Sequence, residues 1–323
     1  MNKENILSMI SKISEDELID LACSTSDVEM LNILAVNANC EVRCTVAKNK
    51  NTPVELLAVL AQDEDSWVRW AVAANENTSI EVLAVLAQDI NRQVRRKVAV
   101  IKNTPVETLA TLAKDEDEDV RKAVAANRNT SADVLAMLAQ DKHWLVRHTV
   151  ALNGNTSADV LAMLAKDEDR DVRVAVAENK NTPVELLAVL TQDEEWWVRC
   201  KVTKNESTSA DVLAMLAQDE EWLVRWAVAL NKNTSVEVLA VLAKDEVYEV
   251  RTAVAANKHT SADTLDILAK DKDDDVRLAV ANNPNTSYNT LIMLIKDKSV
   301  YISKSAEYTL KECKEKSKTS IER

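Results

Sequence analysis

The sequence predicts an all-α fold, a solenoid of tandem two-helix repeats, and three observations predict it. The stretch 51–76, NTPVELLAVLAQDEDSWVRWAVAANE, recurs without a gap at a 26-residue period through Pro284. Each copy carries two runs of apolar residues at helical spacing. The 323-residue chain holds one Gly, four Pro and no Phe, so its turns are built from Asn, Asp, Ser and Thr. In a short-period tandem array each unit covers the apolar face of its neighbour. No single unit of this size and composition buries enough to stand alone.

Copies start at Asn51, Asn77, Asn103, Asn129, Asn155, Asn181, Ser207, Asn233 and His259, with looser copies over 25–50 and from Asn285. The expected organisation is an N-terminal helical cap (1–24), a solenoid of about ten 26-residue repeats (25–297) and a polar helical cap or tail (298–323). In the first segment Ser14 and Glu17 form a capping box opening an amphipathic helix with Leu18, Ile19 and Leu21. It has the shape of the first half of a repeat.

Within the copy from 51, Thr52 is expected as N-cap, Pro53 at the first helical position and Glu55 three residues after the cap. Copies with Thr-Ser-Ala-Asp (130–133, 156–159, 208–211) keep the same chemistry. Val54, Leu57, Leu60 and Ala61 then form one buried stripe. Asp63 ends this helix and caps the second, in which Val68, Ala71 and Val72 share a face. The second helix stops at Asn75. Asn holds that place in every repeat from 49 to 283 except at Ile101, and its tolerance of the left-handed conformation explains how so few glycines suffice. After Asp297 the pattern gives way to the polar, Lys- and Glu-rich ending KECKEKSKTSIER.

Forty basic residues against 53 acidic ones give a net charge of −13. That field repels phosphate backbones and anionic bilayers, so neither a nucleic acid nor a membrane is the expected partner. No stretch approaches the ~20 apolar residues that span a bilayer. The acidic N-terminus lacks the apolar core of a signal peptide, and a cytoplasmic protein is expected. The five cysteines (23, 40, 44, 200 and 313) form no even framework, which fits a reducing compartment.

Asp and Arg recur as a set, the Arg six residues after the Asp. The Arg runs through Arg43, Arg69, Arg95, Arg121, Arg147, Arg173, Arg199, Arg225, Arg251 and Arg277. The Asp runs through Asp63, Asp89, Asp115, Asp141, Asp167, Asp193, Asp219, Asp245, Asp271 and Asp297, with Asn37 in the first unit. The Arg lies about a quarter-turn from the core valines, where adjacent second helices meet. Ten evenly spaced catalytic sites are implausible. The expected role is structural: guanidinium forks tie unit to unit and cap helix ends.

The Asp-x4-Val-Arg spacing resembles the HEAT family. The run VRxAVAxNxNTPxExLAxLAxD, over roughly 25–297, more closely resembles the leucine-rich repeat variant (LRV) family. That resemblance implies a right-handed solenoid that serves as a binding scaffold. Some members of the family carry an N-terminal iron–sulfur cluster. Here Cys23, Cys40 and Cys44 lack a fourth ligand and two of them fall at freely varying positions, so neither cluster nor metal is expected.

Comparison among the copies locates a surface. First helices are nearly interchangeable (VLAMLAQD, VLAMLAKD, LLAVLAQD), whereas differences gather at repeat positions 16, 17, 20 and 24 of the second helix. In the copy from 51 these are Ser66, Trp67, Trp70 and Ala74, on one face opposite the valines. If the units pack as HEAT units do, this face lines the concave side. All seven tryptophans fall there: Trp67, Trp70, Trp144, Trp196, Trp197, Trp222 and Trp226, with Tyr248 and His148. Arg92, Gln93, Arg96 and Lys97 make a basic step, Arg170 a further cation, and Glu118 with Asp119 an acidic step. Trp196, Trp197, Trp222, Leu223, Trp226 and Leu230 make an apolar patch across two neighbouring units. Trp, Tyr and Arg dominate interface energetics.

The acidic runs 116–119 and 273–275 lack the Gly of a calcium loop and read as solvated turns. His143, His148 and His259 have neither metal-ligand spacing nor triad context. There is no phosphate-binding glycine loop and no nucleophile motif, so no enzyme and no cofactor are expected. The favoured function is protein or peptide recognition through the varying face. Its pattern resembles bacterial high-identity repeat modules proposed for self/non-self or conflict recognition. The alternatives are self-assembly through the Trp patch, giving a homodimer, and a HEAT-like protein acting on nucleic acid.

Overall fold

The computed structural model describes residues 10 and 12–321, with side chains through 312. Residues 1–9 and 11 of the expected N-terminal cap, and the Cys313 side chain, lie outside the described residues. Regular structure among the described residues is all α-helix, from Glu15–Ser24 to Val300–Ile321, and the fold class is an all-α solenoid. The chain divides into two compact units, Met1–Val160 and Leu161–Arg323.

Both units repeat one motif, a seven-residue first helix such as Val54–Leu60 followed by a nine-residue second helix such as Ser66–Ala74. Helices this short are not stable alone in water, so packing must hold them. Within each unit successive second helices pack on one another, and each first helix with its flanking second helices. Leu57, Leu60, Val68, Ala71 and Val72 are buried between them. Burying a leucine side chain contributes about 2 kcal/mol.

The terminal helices also stand in the row of second helices. Glu15–Ser24 opens with the capping box of Ser14 and Glu17 and packs on Cys40–Lys48. It therefore occupies a second-helix place rather than the first half of a repeat. The side-chain amide of Asn49 ties it down by donating to the carbonyls of Ala22 and Thr25, at 2.7 and 2.9 Å. Val300–Ile321 packs on Asp274–Asn282 and buries Ile302 and Ala306.

Four local expectations are corrected by the geometry. Thr52 is not a cap. Its hydroxyl is buried and donates to the Val46 carbonyl at 2.6 Å, closing the turn from the preceding second helix. The same bond recurs from Thr78 to Thr286. The residue after it caps the first helix. Ser79, Ser131, Ser209 and Ser235 accept from the third helical N–H, whereas Pro53, Pro105 and Pro183 supply no side-chain bond. The Ser and Pro copies therefore differ in capping chemistry.

Val54 is the second correction: it is 43% exposed, and Leu56 takes the buried place beside Leu57. Third, the cap of the second helix is Asp65, whose carboxylate accepts from the Trp67 N–H at 2.7 Å. Asp63 instead accepts from the Asp65 N–H at 2.9 Å and meets Arg43. Fourth, Asn75 is extended (φ −78°, ψ 131°), and no described non-Gly residue has positive φ. Its amide reaches the preceding repeat, donating to the carbonyls of Ala47 and Asn49 at 2.7 and 3.0 Å. Its Oδ1 accepts from the Asn77 N–H. Asn is there to satisfy helix-end carbonyls across the repeat junction.

The Arg of one repeat grips the Asp of the next. Arg121 donates from Nε and Nη2 to the two carboxylate oxygens of Asp141, at 2.6 and 3.0 Å. Its Nη1 donates to the carbonyls of Asp115 and Glu116, at 2.8 and 2.9 Å. In the first unit Arg43–Asp63, Arg69–Asp89 and Arg95–Asp115 repeat this fork. In the second, Arg173–Asp193, Arg199–Asp219, Arg225–Asp245, Arg251–Asp271 and Arg277–Asp297 do the same. Arg147 donates to the Asp141 carbonyl at 2.8 Å, as its position in the repeat requires. Asp167 is likewise engaged.

The fork's side chains are almost fully buried, with 8% of Arg121 and 8% of Asp141 exposed. Burial pushes the Asp141 carboxyl up, but the Arg121 fork, the His143 N–H and the guanidinium charge outweigh it and hold the pKa below the ordinary value. Asp63, Asp89, Asp245 and Asp271 are depressed by the same balance. An intact buried pair adds little net stability, but removing one member strands the other charge.

Ile101 offers no amide to the carbonyls that Asn would clamp, so Ile101→Asn should raise stability by about 1 kcal/mol, and Asn127→Ala should lower it by about 2 kcal/mol, in urea denaturation. Asp141→Asn should cost about 3 kcal/mol at neutral pH. Because the folded pKa values of Asp63, Asp89, Asp141, Asp245 and Asp271 lie below the unfolded ~3.9, their ionisation contributes stability fully above about pH 4 and loses it as pH falls through the folded values. A stability profile flat from pH 7 to pH 2 would contradict this.

Candidate second-helix recognition face

Because Val68 and Val72 point inward, the helix leaves Ser66, Trp67, Trp70 and Ala74 on the opposite, solvent-facing side. Trp67 is 67% exposed. The corresponding places in the other repeats are exposed or half-buried, apart from Cys200, which is buried. The aromatic residues therefore lie outside the aliphatic core.

In the first unit Trp67 and Trp70 meet edge to face with centroids 6.2 Å apart, and the Lys97 ammonium lies 5.0 Å over the Trp70 ring. Arg92 reaches Asp117 of the next repeat at 2.8 Å, while Arg96 is exposed. Trp144 stacks on His143 and meets His148 edge to face. The basic step is thus partly neutralised within the chain: Arg92 has an acidic neighbour and Lys97 an aromatic one.

In the second unit Arg170 lies 3.7 Å from Asp171 and 4.0 Å from Glu195. Trp196 and Trp197 stack at 4.0 Å. Trp222 and Leu223 are half-buried. Trp226 and Leu230 form a ridge between two hollows. The smaller, about 450 Å³, adjoins Lys204 and Asn231. The larger, about 690 Å³, is lined by Trp226, Leu230, Tyr248 and Leu278, with Glu249 and Asp275. The geometry thus pairs Trp226 with Tyr248 across a groove, and Trp222 and Leu223 do not line it.

Sequence reasoning missed Thr252, Ala253 and Ala256, which also line the groove. It followed the large residues on the varying face, whereas the groove exists because these are small. The signal was present, since repeat positions 20, 21 and 24 are Thr252, Ala253 and Ala256 here but Arg96, Lys97 and Val100 in the copy from 77. The Glu249 charge beside the Tyr248 hydroxyl and their hydrogen bond, then partial burial and the charges of Asp275 and Asp273, raise its pKa. That field is acidic.

Among the described residues no three His, Cys, Asp or Glu side chains cluster as metal ligands do. No described helix is long and apolar enough to cross a membrane.

Residues 41–65, 118–143 and 170–195 match the family model described as leucine rich repeat variant. Each matched segment runs from a second helix through the next first helix and so contains one whole fork: Arg43–Asp63, Arg121–Asp141 and Arg173–Asp193. A solved structure described as a leucine-rich repeat variant with a novel repetitive structural motif is 28% identical. The match covers 72% of this chain and 87% of that one, with a TM-score of 0.53. The structure of Kap121p bound to Nup53p is 12% identical over 97% of this chain, with a TM-score of 0.52, and this chain spans 48% of its length. No curated protein sequence matches. The repeated fork, the helix pair that carries it and these likenesses make the chain an all-α repeat solenoid similar to the leucine-rich repeat variant proteins.

Proposed function

We propose that the chain is a non-enzymatic recognition module that binds a protein or peptide along the varying face of its second helices. One observation carries this reading: differences between repeats gather on that face, while the forks, the Asn clamps and the aliphatic core barely change. A surface under no demand would drift toward solvated residues. This one instead gathers all seven tryptophans, with Trp67 and Trp197 among the exposed large apolar residues. Exposed aromatic groups of this kind mark binding surfaces.

The face is mixed in chemistry. Arg96 is cationic, Glu118 anionic, and Trp196 with Trp197 apolar. A partner is therefore read in several contacts rather than by one charge. Protein and peptide ligands suit such a mosaic better than a phosphate backbone, which a net charge of −13 repels.

The test compares affinity capture by the wild type and by a variant with Trp196, Trp197, Trp222 and Trp226 all changed to Ala. A protein held by the wild type should be lost by the variant, with at least a hundredfold weaker affinity on purification, about what two interface hot spots contribute. Recovery of only the chain itself, lost in the variant, would make the face an assembly interface. Equal retention by both would overturn the reading.

A further inference from the structure

We propose that the groove between Trp226, Tyr248 and Leu278 takes an arginine side chain, with an adjoining aliphatic residue, from a basic segment of a protein partner. This rests on the recognition reading above and names the chemistry of one of its sites.

In the first unit the Trp70 ring receives the Lys97 ammonium at 5.0 Å, a cation–π contact between repeat position 20 of one copy and position 21 of the next. Trp226 occupies position 20 of its own copy, and position 21 of the next is Ala253. The same indole is thus presented without the internal cation. Where Lys97 would stand there is instead open volume, about 690 Å³ of groove floored by Thr252, Ala253 and Ala256.

The rim favours a cation in that space. Glu249 and Asp275 enter the lining and Asp273 stands on the neighbouring turn, whereas Asp274 at the helix start is already held by Arg277 at 2.6 Å and lies 3.6 Å from Lys298. Against Glu249 and Asp275 the lining holds Lys258, two carboxylates to one ammonium, so the balance is acidic. The raised pKa of the Tyr248 hydroxyl, caused first by Glu249, reports the same field. A guanidinium suits the site better than an ammonium. It stacks flat on an indole, is less strongly hydrated, and can fork onto a carboxylate while doing so. Leu230 and Leu278 leave an apolar surface beside the indole for an aliphatic neighbour of that arginine.

The test titrates the full ¹⁵N-labelled chain with the capped peptide Ser-Leu-Arg-Leu-Ser up to millimolar concentration. It follows the Trp226 indole N–H, assigned by its loss in Trp226→Phe. Saturable movement of that signal is expected, with the Trp67 signal unmoved. Citrulline in place of arginine, which keeps shape and removes charge, should weaken binding about tenfold. Glu249→Gln with Asp275→Asn should do the same, and Glu116→Gln with Asp119→Asn in the other unit should not. Ala253→Lys, which rebuilds the Lys97 arrangement, should block the peptide.

A Trp226 signal that does not move, equal binding of the citrulline peptide, or an equal loss in the Glu116, Asp119 control would overturn the proposal. If any of these occurs while the four-Trp variant still loses a captured partner, the arginine assignment fails and the recognition reading stands.

Discussion

The fork from arginine to the next repeat's aspartate is the constraint on which the rest depends. A seven-residue helix joined to a nine-residue helix has too few internal hydrogen bonds to persist alone. Within each unit the fork's guanidinium spends three nitrogens on two jobs, closing its own repeat's turn through backbone carbonyls and gripping the carboxylate of the next. The planar, five-donor guanidinium suits this geometry and a lysine cannot reproduce it. The Asn amide does the parallel work at the other end of the second helix. Between them the polar groups at the repeat junctions are satisfied, and no buried side-chain nitrogen or oxygen among the described residues lacks a partner.

Once the junctions are fixed by these polar contacts, the outer face of the second helix carries little structural duty. Ser66, Arg92, Glu118, Trp144, Arg170, Trp196, Trp222, Tyr248 and Asp274 all stand at the same repeat position with the same helix beneath them. Chemistry can change there without moving the backbone. Removal of bulk matters as much as its addition. Trp226 opposite Ala253 opens a groove, whereas Trp70 opposite Lys97 is covered.

The helix pairs and the inward valines were legible because periodicity reports burial directly. The Arg–Asp spacing was legible as a repeat, although its geometry was not, since the partner lies 20 residues away and only packing reveals which carboxylate it meets. Thr52, Asp63 and Asn75 were each assigned a local capping or turn role that propensity favours. In the structure Asp63 and Asn75 also reach across the junctions, to the Arg43 guanidinium and the Ala47 and Asn49 carbonyls, while Thr52 closes the preceding turn onto the Val46 carbonyl. Helix Glu15–Ser24 was misread for a similar reason: its pattern suits either half of a repeat, and only its contact with Cys40–Lys48 assigns it to the second-helix row. The groove escaped notice because a hollow is made by what is absent from one second helix, Tyr248–Ala256, between two that carry Trp226, Leu230 and Leu278.

The central claim is that frame and face are separable, and one measurement addresses it directly. Trp196→Ser, Trp222→Ser and Trp226→Thr together install residues that other repeats carry at those places, and urea denaturation compares the result with the wild type. Separability predicts stability within about 1 kcal/mol of the wild type, the range of surface substitutions. A loss of several kcal/mol would show that the tryptophans belong to the core and contradict the account.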